Sequence, residues 1–397
     1  MVIAAGQLAA GLALDAAPAK VRFAQGAKVL DQARGLGRAP YVLLLGSSRF
    51  WELDAGTAAV VLSETVGAES PPVVKGAVPA GDPVVADYLL ERLLTQGSRP
   101  ALIVLEISPE TICYPTRWVA EHAIRFFTWG DVAAWVPEIV IAGQVRKVAA
   151  ARFAPIHLYR RELLTWMAGA APPYLRVAPP GGPGGTAARR AERLVPGAEH
   201  ARVPPAPTAN RNDTTEEPER LRPNAATLFG LRETRKWLRH YRLDGGAARA
   251  LEHVLARCQD AGIRVALVGV PVSSWVRELY TPEIERAFHE YMDRVSRRYG
   301  AEFVDYRARV PDRFFKDHHH LNHRGADLFI RVLVGEVLAP RWNSKGDQFG
   351  AWPATIRPVS SSTAQAAHCA EPNPNSKPRA SWEPRVLLPG WRFPRTS

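Results

Sequence analysis

Cysteine is scarce in this chain: Cys113, Cys258 and Cys369 are the only three in 397 residues, isolated from one another and never in a CxxC pair. An odd, scattered set offers neither a zinc cluster nor a disulfide framework. The first two read as small buried apolar residues. Acidic residues are outnumbered, 39 against 51 Lys and Arg, leaving a net charge of +12. That excess attracts anionic partners. Much of it lies in Arg- and Pro-rich segments, however, and no basic helix is interleaved with aromatics, so no nucleic-acid partner is expected. Long apolar runs are missing as well. The opening MVIAAGQLAAGLALDAAPAK lacks a basic leading region, and Asp15 breaks it short of the roughly 20 residues a membrane span needs. It reads as an ordinary helix; the alternative is the stub of an anchor, with membrane association through the N-terminus.

What is present suffices for a large core. Apolar residues make up 46% and charged residues 23%, the balance of a globular protein. Tyr41 to Leu45 is a short apolar run of the kind found in buried parallel strands, as are Pro100 to Ser108, Ile263 to Val272 and Ala301 to Tyr306. Helical spacing marks Val84 to Gln96, Ala248 to Ala261, Pro282 to Tyr299 and a final helix ending near Pro340. The expected fold is α/β, a three-layer sandwich with a mostly parallel central sheet. A helical insertion is expected over about 115–170, where Ala, Val and Trp recur at helical spacing. The domain reading is an apolar helical segment over 1–38, the α/β domain over 39–340, and a disordered tail over 341–397. Dense Pro and Gly over 172–223 predict a disordered loop inside the domain.

Sites in such sheets form beyond the carboxyl ends of the strands. Gly46-Ser47-Ser48-Arg49 sits at one such end, Ser108 at a second, Val270 to Ser274 at a third and Asp317 to His320 at a fourth. A serine hydroxyl becomes a nucleophile when a base takes its proton, and the imidazole of that base is usually oriented by a carboxylate. Asp317 and His320, in Asp-x-x-His spacing, can supply orienter and base from one turn, and Gly46-Ser47-Ser48 supplies a tight strand-to-helix turn whose following helix N-terminus offers free N–H groups. The bland alternative is that Ser47 and Ser48 merely cap that helix. Arg49 argues otherwise: a cation in a first helical turn opposes the helix dipole, so it implies an anion contact or an ion pair. Glu106 and Glu110 read as surface or ion-pair residues. His318 and His320 raise a metal site, but no Cys or helical His partner supports it, and no metal or other cofactor is expected.

Together "GSS" and "DHHHLNHRGA" resemble the first and last motifs of the SGNH/GDSL hydrolase superfamily, with Ser47 standing where that family has Asp. The GSS variant is similar to that of envelope-associated members, such as teichoic-acid D-alanylation and alginate acetylation proteins. The resemblance spans Tyr41 to Ala339 without the Pro-rich loop. It implies a flavodoxin-like fold, Ser48 as nucleophile, His320 as base and Asp317 as orienter. The oxyanion hole it implies comprises Ser48, Gly81 and Ser108, the last standing where the family's Asn is missing; Arg49 becomes a candidate substrate contact. The implied function is a serine esterase or acyltransferase on acyl esters, with acylated glycans or polymers of the cell envelope as substrate and a membrane-associated or extracytoplasmic location. The alternative is an inactive scaffold of the same fold. Trp118, Phe126, Phe127 and Trp129 are offered as an acyl- or glycan-binding surface, against core packing.

Overall fold

The computed structural model describes residues 2–16, 23–67, 70–113, 126–141, 143–160, 164 and 223–343. Five strands form its single sheet: β1 (Val42–Leu45), β2 (Val73–Lys75), β3 (Leu102–Ile107), β4 (Arg264–Gly269) and β5 (Glu302–Asp305). All four pairings are parallel, in the order β2-β1-β3-β4-β5. This is the doubly wound order whose switch point lies between β1 and β3.

The helices that build the layers and the site include α1 (Val2–Ala16), α2 (Ala24–Gly35), α3 (Ser48–Trp51), α4 (Ala55–Val66), α5 (Pro83–Thr95), α6 (Trp129–Ala134), α7 (Val136–Ile141), α8 (Val145–Phe153), α9 (Pro155–Leu158), α10 (Ala225–Leu238), α11 (Gly246–Asp260), α12 (Pro282–Tyr299) and α13 (His323–Leu333). Because side chains alternate along a strand, each strand feeds two cores. Leu43, Leu45, Ile103, Leu105, Val265 and Leu267 pack on one face with α2, α5, α11 and α12. Val42, Leu44, Leu102, Val104, Ala266 and Val268 pack on the other with α4 and α13. Three layers result, as the apolar runs predicted.

Boundaries differ in places. β2 was not expected, because three residues carry too little pattern. α2 buries Val29, Leu30 and Ala33 in the first core, so part of the 1–38 segment belongs to the α/β body. At the other end the last helix continues through Leu338 to Asn343, past the tail boundary set at 340, because Trp342 is buried in the second core. α10 was also unexpected. Its buried positions include Thr227 and Thr234, while Leu228 and Phe229 face outward, which erases the usual apolar stripe. The Pro-rich loop over 172–222, Trp118, Cys369 and the tail from 344 lie outside the described residues.

Local chemistry fixes the element that leads from β2. Asp82 caps α5 by accepting from the Val84 and Val85 N–H groups at 2.9 and 3.1 Å, and Pro83 opens the helix where its missing N–H costs nothing.

Candidate active site

Ser48 and His320 are 272 positions apart, and the sheet brings them together. The Ser48 Oγ lies 2.7 Å from the His320 Nε2, and the His320 Nδ1 lies 2.7 Å from the Asp317 Oδ2. The other Asp317 oxygen accepts the backbone N–H groups of His319 and His320 at 3.0 and 2.8 Å. Burial alone would raise the Asp317 carboxyl, but the His320 ring and these two amides outweigh it and hold it well below the usual carboxylate range. It is ionised whenever the imidazole has work to do.

The loop carrying Asp317 and His320 is pinned on all sides. The Lys316 N–H donates to the His320 carbonyl at 2.9 Å, and Phe315 pairs with Leu321 as an antiparallel bridge. Beyond β4, the fully buried Ser273 donates its hydroxyl to the His318 carbonyl at 2.6 Å. Asn322 then caps α13 by accepting from the Gly325 N–H. His318 is buried, and its ring lies under α10: a Cβ placed on Gly230 would fall 1.9 Å from the His318 Cε1. Burial keeps the His318 and His319 imidazoles below their ordinary range.

Behind Ser48 lies a buried charge network. Glu106, at the end of β3, accepts the Ser47 N–H at 2.7 Å on one oxygen. Its other oxygen accepts the Ser47 hydroxyl at 2.6 Å and the Arg49 Nε at 2.8 Å. Arg49 also donates to Glu110 at 2.8 Å and to the Ser108 hydroxyl at 2.8 Å, and Tyr280 donates to Glu110 at 2.7 Å. Burial works against the Arg49 charge, but the two glutamates outweigh it and hold its pKa above the ordinary value. Burial also works against Glu110, which Arg49 and Tyr280 hold below its usual range. Buried charges persist only when paired in this way.

This network revises several sequence expectations. Arg49 is 7% exposed and turned inward, where it forms ion pairs with Glu106 and Glu110. Ser108 is fully buried, and its hydroxyl accepts from Arg49 at 2.8 Å. The Gly81 N–H is occupied by the Val78 carbonyl at 2.8 Å. Gly81 is needed for another reason, since a Cβ there would meet the Gly46 carbonyl oxygen at 2.3 Å. Gly46 likewise serves close approach: its Cβ would strike Glu106 at 2.5 Å. Ser47 does cap α3, accepting from the Arg49 N–H at 3.2 Å. The N–H of Ser48, first in that helix, has no partner within it by position.

The aromatic surface divides. Phe126 and Phe127 are buried in the first core, whereas Trp129 stays exposed. Among the described residues, those with ligating atoms near a common point are Asp317, His319 and His320, all within 4.8 Å of one another; the pair raised by sequence, His318 and His320, is not that set. This donor set suits a borderline transition metal such as zinc.

Fold and site define a class: a doubly wound parallel α/β protein with a Ser-His-Asp hydrogen-bonded chain at the carboxyl ends of its strands, on the switch-point side. No family model matches the sequence, and no curated protein matches it. Among solved structures, the gut microbial diltiazem-metabolizing enzyme BT4096 aligns at 8% identity and TM-score 0.33, over 75% of this chain and 46% of that one. This chain thus spans under half of that protein's length. A mutant of the esterase AlinE4 aligns at 12% identity and TM-score 0.30, over 76% of this chain and 96% of the other. Likenesses this weak carry no weight beside the strand order and the site geometry.

Proposed function

We propose that the protein is a serine esterase or acyltransferase of the SGNH/GDSL type, acting on acyl esters such as those of cell-envelope glycans or polymers. One observation carries the reading: the unbroken chain from the Ser48 hydroxyl through the His320 ring to the Asp317 carboxylate. In the acylation step the Ser48 Oγ forms a bond to the acyl carbon while the His320 Nε2 takes its proton. The tetrahedral oxyanion collapses, the ester bond breaks, and the departing alcohol takes that proton from His320. Water or a sugar hydroxyl then attacks the acyl-serine in the same manner, regenerating Ser48. Asp317 holds the ring and balances the imidazolium charge. The envelope location implied by the sequence resemblance belongs to the same proposal.

The Ser48 N–H is the one oxyanion donor left uncommitted of the three expected from the sequence. Losing a donor of this kind costs about 3 kcal/mol of transition-state stabilisation. That same observation favours a second reading, a scaffold of this fold that does not turn over substrate. Treatment with a fluorophosphonate probe and assay with p-nitrophenyl acetate separate the two. The enzyme reading requires labelling and hydrolysis that vanish in Ser48→Ala; labelling that survives in that variant, or is absent from the parent, defeats it.

A further inference from the structure

Fifteen large apolar side chains are exposed among the described residues, and their distribution is uneven: two lie in α1 and eight between Trp129 and Leu164. Helices α1 and α6 to α9 pack on one another. The Gln7 side chain accepts the Ile156 N–H at 3.1 Å, and a Cβ placed on Gly11 would lie 3.7 Å from the Arg152 carbonyl oxygen. Yet this cap has little interior of its own. Ile139, Val148 and Ala151 form one small cluster, and Leu14 with Tyr159 another. Leu8, Leu12, Val140, Ile141 and Phe153 stay exposed, and the Phe153 ring sits edge-on to the exposed Trp129 at 5.7 Å. Apolar surface concentrated in this way marks an interaction face.

Charge identifies the partner. The acids among the cap's described side chains, Asp131 and Glu138, are both drawn inward, paired with Arg92 and Arg249 of the α/β body. Arg146, Lys147 and Arg160 remain exposed. Among the described residues the cap therefore combines exposed aliphatic side chains, a tryptophan ring and cations with no outward acid, the composition that binds in the headgroup region of an anionic bilayer. α1 is almost wholly apolar over its 15 described residues. No described helix is long and apolar enough to cross a membrane.

We propose that α1 and the cap helices α6 to α9 form a face that seats the protein on an anionic membrane surface. None of these residues belongs to the Ser48 site, so the test is independent of activity. The full chain is sedimented with phosphatidylcholine vesicles, with and without phosphatidylglycerol. Expected is pelleting with the anionic vesicles that weakens at high salt. Ile141→Glu with Phe153→Glu, both at exposed positions, removes it while the circular dichroism spectrum is unchanged. Arg146→Glu with Lys147→Glu lowers partitioning by roughly tenfold or more. Absence of pelleting with either vesicle, or pelleting indifferent to these four substitutions, overturns the proposal. So does self-association or protein capture that the same substitutions abolish in a chain that does not bind vesicles.

Discussion

The Glu106 carboxylate holds Ser47 at two atoms, its backbone N–H and its hydroxyl, and so sets the turn from which Ser48 projects. Glu106→Gln replaces one acceptor oxygen with a donor and leaves Arg49 with one counter-charge fewer. Breaking a buried ion pair costs roughly 3–5 kcal/mol. A clear fall in melting temperature is expected, together with a fall in kcat larger than any change in KM. A variant with parental kcat would show that the network supports the core and not the nucleophile.

Asp317→Asn keeps an acceptor for the two loop amides but presents the wrong partner to the His320 Nδ1. The expected loss in kcat for p-nitrophenyl acetate is roughly 10³–10⁴-fold with little change in KM, the usual consequence of losing the orienting carboxylate. Steady-state kinetics on protein of unchanged melting temperature decide it.

Gly230→Ala places a methyl where the His318 ring already is. Either α10 or the His318 loop must move, which costs about 1–3 kcal/mol in a packed interior. Melting temperature and activity should fall together. Pairing the change with His318→Ala should recover much of both, and a double-mutant cycle measures that coupling.

Asp82 supplies a pH-dependent stability. Burial pushes its carboxyl up to about 7 against the lowering effect of the Val84 and Val85 amides, and its Oδ2 is buried without a hydrogen-bond partner. The folded state therefore binds the proton more tightly than the unfolded state, whose carboxyl titrates near 4. Its contribution is full below about pH 4 and is lost as pH rises through about 7. Asp82→Asn, which keeps the cap, should stabilise the protein at pH 8 relative to the parent and flatten the decline in melting temperature between about pH 5 and 8.

Zinc added to the protein should compete for His320. The ligating atoms of Asp317, His319 and His320 are close enough to share one ion, and two of these residues form the hydrogen-bonded chain to Ser48 on which the proposed function rests. Inhibition of ester hydrolysis, reversed by a chelator, is the expected result. His319→Gln, which leaves Ser48, His320 and Asp317 in place, should weaken the inhibition by roughly tenfold or more.

The strands legible in the sequence were those with continuous apolar runs, because both faces of this sheet are covered. β2, with three residues between Pro72 and Gly76, had no such signal. Asp317, His320 and the Ser47-Ser48 pair could be named because hydroxyl, carboxylate and imidazole are chemically conspicuous at the ends of strands, and the family resemblance then selected Ser48. Glu106 was readable too, had two anomalies been combined. A carboxylate inside the run LIVLEI needs a partner, and Arg49 in a first helical turn needs an anion. What could not be read was occupancy. Nothing in the sequence says that the Gly81 amide is taken by Val78, or that Ser108 faces Arg49.

The wide separation of Ser48 from His320 has a biosynthetic corollary. A nascent polypeptide emerges amino end first, so it displays an inert hydroxyl throughout most of translation. On the proposed mechanism, reactivity arrives only when the segment after β5 docks, and a polypeptide truncated before that segment lacks the imidazole and carboxylate that would activate the hydroxyl.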